Sequence, residues 1–382
     1  MDTEKLRFAF KGSPNLGRAV YKASNSRDQN ECYLAMDKSE GSAPDRLNII
    51  YNRERNSSCA TSQLRVNLGK DFRRIKENDL IYIDFKHGFF EVCWRSGSNN
   101  NALLITERCN HRCVMCSQPP QDKDDLDWRD KFEFIADKIP ECEESFCITG
   151  GEPSIYLDEL ASPIRKLISR GVKSISILSN GALIKRKNIE KFAELIDPEK
   201  ILWCIPLYSH KPEIHDFIVG SKGAWFKTIE GMINLHEEGF PIQIRFIPLS
   251  QNQRDISEFI SFAASSLTFA QQLVFMGLEV TGYAIDNLSS IKPDYKLVFD
   301  ELQNIEDTLL GMQMKFNIFN MPLCNLPEKL WDYSVKSISD WKNSYEIECQ
   351  SCDLKDSCGG FFTTSKVKLF ELKPISYQKK LN

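Results

Sequence analysis

Nowhere in these 382 residues does an apolar run approach the length of a membrane span, and Met1–Arg7 carries no signal-peptide pattern. The first absence excludes a spanning helix; together they give the expectation of a cytoplasmic protein that does not engage a membrane. An excess of one charge is also lacking. Lys and Arg number 49 against 53 Asp and Glu, a net charge of −4, so nothing draws the whole chain towards nucleic acid. Cysteine, by contrast, is plentiful. Thirteen cysteines would be odd in a reducing compartment unless some bind metal. Seven fall into two groups and six are scattered singly, a split that favours metal over disulfides.

The first group is Cys109-Asn110-His111-Arg112-Cys113-Val114-Met115-Cys116. It follows a short apolar run, Ala102–Thr106, which reads as a buried strand. Thiolates are the preferred ligands of iron–sulfur clusters, and a compact loop can aim three of them at three corners of one cube. A cube has four irons, so one iron stays open to another ligand. Zinc is the alternative, with His111 completing a Cys3His set. A disulfide staple does not suit a long chain without secretory features.

The length suits two or three domains with a sizeable core. Before residue 101 no helical periodicity stands out. Val66–Leu68, Leu80–Phe85 and Phe89–Trp94 read as strands, the last two joined by a turn at Lys86-His87-Gly88. This predicts a small β-rich domain over residues 1–100, in which Cys32, Cys59 and Cys93 are incidental thiols. Ser96–Asn101 has linker composition.

From Ala102 strands and helices alternate. Strands are predicted at Leu103–Thr106, Ser145–Thr149, Ser174–Leu178, Ile201–Leu207, Ile242–Pro248 and Leu273–Glu279. Helices are predicted near Trp128–Ile139, Leu157–Arg170, Lys187–Leu195, Ala224–Glu238 and Asp255–Ser265. Repeated β-then-α units with buried strands imply a parallel α/β sheet curled into a full or partial barrel, with its site at the carboxyl ends of the strands. A helix near Tyr295–Gly311 and a strand at Met314–Asn320 follow.

Several strand ends carry further candidates. Gly150-Gly151-Glu152-Pro153 follows the second strand; its glycines permit close backbone approach, and its carboxylate can accept hydrogen bonds from an ammonium group. As a bare sequence it is also an ordinary turn. Ser179-Asn180-Gly181 ends the third strand. Arg245, within the fifth, could pair with a ligand carboxylate or be held structurally. Glu279 and Tyr283 stand where a substrate could approach, or serve as strand-end hydrogen bonders. His210, His215 and His236 read as surface or packing residues, and Cys142, Cys147 and Cys204 as core. The second cysteine group, Cys324, Cys349, Cys352 and Cys358, can hold zinc or a second cluster.

The cysteine triad after a first strand, with Gly-Gly-Glu-Pro one strand later, resembles the radical S-adenosylmethionine (SAM) enzymes. The resemblance implies a partial (β/α)6 TIM-type barrel over residues 101–288. In that family Cys109, Cys113 and Cys116 would hold a 4Fe–4S cluster, and the open iron would be chelated by the amino and carboxylate groups of SAM. Gly150, Gly151, Glu152 and Pro153 would bind the SAM amino group, and Ser179-Asn180 resembles the family's Thr-Asn-Gly turn. Ser209 maps onto a SAM-contacting serine, although the aspartate of that pattern is missing. Met115 replaces the usual aromatic residue that packs on adenine. Tyr208-Ser209-His210, His215-Asp216 and Gly220–Trp225 are similar to a stretch of the peptide-modifying members. Their cysteine-rich C-terminal extension implies an auxiliary 4Fe–4S cluster on Cys324, Cys349, Cys352 and Cys358, over residues 289–382, close to the shortened twitch form of the SPASM domain.

A narrower likeness rests on Thr106–Asn110, Met115–Pro120 with the acidic Asp124-Asp125, Phe275–Ala284, Met321–Cys324, Ile338–Asn343 and Cys358–Phe362. These resemble the C-type radical SAM maturase of the His-Xaa-Ser repeat peptide system, over roughly residues 65–365. The resemblance implies reductive cleavage of SAM to a 5′-deoxyadenosyl radical, hydrogen abstraction from a ribosomally made peptide, a second radical SAM protein as partner, and an external electron donor such as flavodoxin or ferredoxin. Two rivals stay open: a radical SAM enzyme acting on a nucleotide or nucleic acid, and a non-catalytic protein with structural zinc.

Overall fold

The structure, a computed structural model, describes residues 6–7, 18–24, 33–36, 46–52, 61–67, 79–84, 89–122, 128–141, 143–304, 306–311 and 313–376. Cys32, Cys59, Leu68, Phe85, Lys86, His87, Gly88, Asp124, Asp125 and Cys142 lie outside the described residues. By contact the chain divides into two compact units. One comprises Met1–Ile105, Asp125–Cys147 and Ser162–Lys173, the other Thr106–Asp124, Ile148–Ala161 and Ser174–Asn382.

The first unit carries strands β1 (Leu6–Arg7), β2 (Arg18–Ser24), β3 (Tyr33–Met36), β4 (Arg46–Asn52), β5 (Thr61–Asn67), β6 (Leu80–Asp84) and β7 (Phe89–Trp94). They form one sheet in the order β1-β7-β6-β2-β3-β4-β5. Its pairings are antiparallel apart from β2 with β3. Within this unit helix α1 (Trp128–Lys138) is held by a buried ion pair, Lys131 Nζ to Glu91 Oε2 at 3.0 Å.

A second sheet runs in sequence order through β8 (Ala102–Leu104), β9 (Ser145–Thr149), β10 (Ser174–Leu178), β11 (Ile201–Pro206), β12 (Ile242–Phe246), β13 (Gln272–Met276), β14 (Lys315–Phe319) and β15 (Ser334–Val335). From β10 to β15 every pairing is parallel. The intervening helices are α2 (Leu157–Ser169), α3 (Arg186–Ala193), α4 (Pro212–Val219), α5 (Ala224–Glu237), α6 (Ile256–Ser266), α7 (Tyr283–Asp286), α8 (Leu288–Ile291), α9 (Tyr295–Asn304) and α10 (Glu306–Gly311). The result is an α/β sheet of the partial TIM-barrel type. A short antiparallel pair, β16 (Asn343–Ser344) and β17 (Phe361–Phe362), lies near the C-terminus.

Alternation along the strands separates two faces. On the helix-facing side Phe246 stacks on Phe275 at 4.5 Å and meets Phe259 of α6 at 4.6 Å. Trp203 packs edge-on to Phe192 of α3 at 6.2 Å. These aromatic contacts contribute to the apolar burial that holds strands and helices together. The opposite face is polar, with Cys204, Gln243, Arg245, Gln272 and Asn317 joined by hydrogen bonds.

Candidate active site

The three-cysteine loop leaves β8 and is gripped by backbone from three other strand-end or helix-end segments. After β9, the Gly151 and Glu152 N–H groups donate to the carbonyls of Thr106 (2.7 Å) and Arg108 (2.8 Å). At the end of α4, Ile218 and Val219 accept from Val114 (2.9 Å) and Arg112 (3.0 Å). After β13, Tyr283 N–H donates to Cys116 O at 2.9 Å, and Asn287 Nδ2 to Val114 O at 2.9 Å. The approach is too close for side chains. A Cβ at Gly151 would lie 2.2 Å from Arg108 O, and one at Gly282, where φ is +56°, would lie 2.4 Å from Cys116 O. Only glycine satisfies both demands. The glycines of Gly-Gly-Glu-Pro thus make their close approach to the cysteine loop itself.

Cys109 Sγ accepts from His111 N–H at 3.4 Å and from Asn180 Nδ2 at 3.9 Å, while Cys116 Sγ donates to Gln118 O at 3.0 Å. Burial pushes the Cys109 thiol up to about 11, helped by Glu152 and Cys116. Cys113 is raised by burial and then by the charges Cys116 and Cys109 would carry, and burial raises Cys116. Three sulfurs that oppose one another's ionisation in this way share a small volume. Such a set is costly as bare thiolates and is stabilised by a cation, which inverts the local electrostatics. The donor set fits an iron–sulfur cluster, which takes each thiolate on a separate iron. Among the described residues no three His, Cys, Asp or Glu side chains converge on a single ion. His111 is buried, its Nδ1 without a hydrogen-bond partner, and burial followed by Lys227 holds it down to about 4.

Glu152 is fully buried and its carboxylate accepts four hydrogen bonds. The donors are Ser154 N (2.9 Å), Ser154 Oγ (2.6 Å), Ser179 Oγ (2.6 Å) and Asn180 N (2.6 Å). Burial nonetheless raises it above the ordinary carboxylate range. Pro153 opens the 3-10 turn Pro153–Tyr156, for which Glu152 is the cap. Asn180 in turn donates from Nδ2 to Asn110 Oδ1 at 2.8 Å. Glu152, Ser179 and Asn180 therefore tie the ends of β9 and β10 to the cysteine loop.

The segment after β11 is equally tied. Ser209 is buried; its Oγ accepts from Lys211 N at 3.0 Å and its carbonyl from Trp225 Nε1 at 3.0 Å. His215 Nδ1 accepts from Tyr208 N at 3.2 Å, and Asp216 caps α5 by accepting from the N–H groups of Gly223 and Trp225. His215 is a packing residue, as expected; His-Asp and Gly-x-x-Gly-x-aromatic are one capping device. Tyr208 is a residue that sequence reasoning missed. It is buried, stacked on His215, and its phenol is raised by burial, then by Cys113 and Cys116, with Arg245 opposing. A large amphipathic residue at a strand end was its signal. Met115, Tyr208, Leu278 and Val280 belong to one buried apolar cluster against which Cys113 packs.

Arg245 donates from Nε to Gln243 Oε1 at 2.7 Å and from Nη2 to Cys204 Sγ at 3.3 Å. Glu279 is engaged elsewhere: Lys342 Nζ lies 2.8 Å from it and Thr364 Oγ1 donates to it. Tyr283 opens α7 beside Cys116.

The second cysteine group closes on itself. Cys324, Cys349, Cys352 and Cys358 line one small pocket, with Leu323, Tyr345 and Lys355. Three of the sulfurs accept N–H groups. Leu323 N and Gly360 N reach Cys358 Sγ at 3.4 Å each, Ile375 N reaches Cys352 Sγ at 3.4 Å, and Asn325 Nδ2 reaches Cys324 Sγ at 3.3 Å. Donors of this kind stabilise thiolate ligands of a metal centre.

Residues 103–263 match the family model of the Radical SAM superfamily. This segment is a radical SAM domain. Its cofactors are a 4Fe–4S cluster and SAM. A probable GTP 3′,8-cyclase of Sulfolobus acidocaldarius is 30% identical over 167 residues, 43% of this chain and 51% of that protein. The antilisterial bacteriocin subtilosin biosynthesis protein AlbA of Bacillus subtilis is 26% identical over 172 residues, 43% of this chain and 37% of that protein. Among solved structures, Streptococcus suis SuiB bound to S-adenosylmethionine is similar at 19% identity and a TM-score of 0.44, over 57% of this chain and 49% of that one. The matches thus span about half the length, or less, of these two curated relatives. No described helix is long and apolar enough to cross a membrane.

Proposed function

We propose that this chain is a radical SAM enzyme that modifies a ribosomally made peptide, of the maturase type that its motifs resemble. The observation that carries the enzymatic reading is the loop of three mutually opposed thiols, one short of the irons of a cube, fixed at the strand ends. Cys109, Cys113 and Cys116 would hold the cluster, which would supply the one-electron reduction that SAM cleavage needs. The chain's own residues hold and shield. Gly150, Gly151 and Pro153 keep the loop in place, and Glu152, Ser179 and Asn180 lock two strand ends against it. Ser209 lies at the next strand end, and Arg245 offers a cation to the methionine carboxylate. Met115, Tyr208, Leu278 and Val280 keep water from the Cys113 side.

The peptide reading draws on the family resemblance, on the cavity formed by Cys324, Cys349, Cys352 and Cys358, and on the bacteriocin-biosynthesis relative. With four thiolates from the chain, an auxiliary cluster there would be fully protein-ligated and suited to electron transfer. A nucleotide substrate is the second reading, favoured by the GTP 3′,8-cyclase relative. Co-expression with candidate His-Xaa-Ser peptides, followed by mass spectrometry, tests the choice. A mass change that needs Cys113 supports the peptide, whereas turnover of a nucleotide with every peptide unchanged rejects it.

A further inference from the structure

On the polar face of the sheet, four neighbouring strands give five side chains to a single chain of hydrogen bonds, two of them from β12. Arg245 Nε on β12 donates to Gln243 Oε1 on the same strand at 2.7 Å. Gln243 Nε2 donates to Gln272 Oε1 on β13 at 2.6 Å, and Gln272 Nε2 to Asn317 Oδ1 on β14 at 2.6 Å. Asn317 Nδ2 ends the run on the carbonyl of Tyr333 at 3.2 Å. On the other side, Arg245 Nη2 meets Cys204 of β11. Gln243 and Asn317 are buried.

The direction of this run is fixed by its ends. A guanidinium can only donate and a backbone carbonyl can only accept, so all three amides must present oxygen towards Arg245 and nitrogen away from it. Their dipoles therefore add, each polarising the next. The hydrogen-bond partners of Arg245 among the described residues are Gln243 and Cys204, with no carboxylate among them. Its charge is balanced by oriented dipoles, which compensate it without neutralising it, so the guanidinium keeps its full attraction for an arriving anion. A carboxylate partner in the same place would have consumed it.

We propose that Gln243, Gln272 and Asn317 are positioning residues that keep Arg245 charged, aimed and unneutralised for the carboxylate of the ligand at the cysteine loop. This deepens the reading of Arg245 given above and rests on it. Barrel interiors are ordinarily filled by branched apolar side chains, and a row of carboxamides there needs a reason of this kind.

The test is equilibrium dialysis of anaerobically reconstituted protein against two probes: SAM, and 5′-methylthioadenosine, which keeps the nucleoside and lacks the methionine carboxylate. Gln272→Leu interrupts the run without touching Arg245. It is expected to bind SAM about tenfold more weakly, the loss of one hydrogen bond to a charged system, and methylthioadenosine as before. Asn317→Leu, at the far end, should show the same pattern with a smaller loss; thermal melting and iron content identify whichever variant folds. Arg245→Met should weaken SAM further, and adding Gln272→Leu to it should cost nothing more. Unchanged SAM binding by both leucine variants, or equal weakening of the two probes, would overturn the relay. Wild-type SAM affinity in Arg245→Met would instead remove the role of Arg245 on which the relay depends.

Discussion

Two cysteine sites lie in the same compact unit and are built on opposite plans. In the first, the backbone of the loop is gripped by three other segments, His111 N–H and Asn180 Nδ2 reach Cys109 Sγ, and a main-chain hydrogen bond from Gln118 favours the thiolate of Cys116. In the second, donors reach Cys324, Cys352 and Cys358, and four thiols line one cavity. The difference teaches what each is for. A loop held by its main chain, with three thiols, can offer an incomplete centre to a ligand. Four thiols lining one pocket, with N–H donors on three of them, would instead suit a centre ligated wholly by the chain, as proposed above.

The strongest way to break this contrast is to delete one thiol from each site. Cys113→Ala should abolish 5′-deoxyadenosine formation. Cys358→Ala should lose about one cluster's iron, about four atoms, yet leave the first centre able to bind SAM. Iron analysis and chromatography of the cleaved nucleoside read both, and full SAM cleavage by Cys113→Ala would dissolve the distinction. The next largest effect concerns the grip. Gly151→Ala places a Cβ 2.2 Å from Arg108 O; the backbone must move, at about 1–3 kcal/mol, and the loop should take up iron poorly even though every thiol is present. Urea melts of the apoprotein beside iron counts check this, and normal loading would show that the grip is dispensable.

Glu152→Gln should cost about 1.5–3 kcal/mol. A carboxamide cannot accept from all four donors that now converge on the carboxylate, and its NH2 faces other N–H and O–H groups. The smallest effect is on pH. Since burial raises the thiols of the first site, with Cys109 at about 11, cluster assembly must release protons and should gain as pH rises from about 7 to 9. The second site, where burial raises Cys349 and Cys358, should follow the same sign. Iron uptake by each single-site variant across that range sharpens the comparison; an uptake independent of pH would show that the thiols ionise before metal arrives.

Much of the sheet was legible in the sequence because its strands are short apolar runs bounded by turn residues. Ser145–Thr149 and Ser174–Leu178 fall where predicted. Strand β8 stops at Leu104, earlier than expected, and Thr106 O turns instead to Gly151 N–H. Helix α4 escaped notice; at eight residues it is too short for a period to show, although Pro212 at its start and Gly220 past its end are the usual brackets. Side-chain partners were harder. Glu279 reads as facing a substrate, but both its hydrogen-bond partners, Lys342 and Thr364, come from beyond residue 340. The donors to Glu152 include residues 27 and 28 positions away. Local pattern names a strand end; only the fold decides what meets there.

The most direct measurement is electron paramagnetic resonance of anaerobically reconstituted, dithionite-reduced Cys358→Ala protein, titrated with SAM. The expected result is one cluster signal that shifts on addition of SAM. A colourless protein without iron, or a signal indifferent to SAM, would contradict an open centre on Cys109, Cys113 and Cys116.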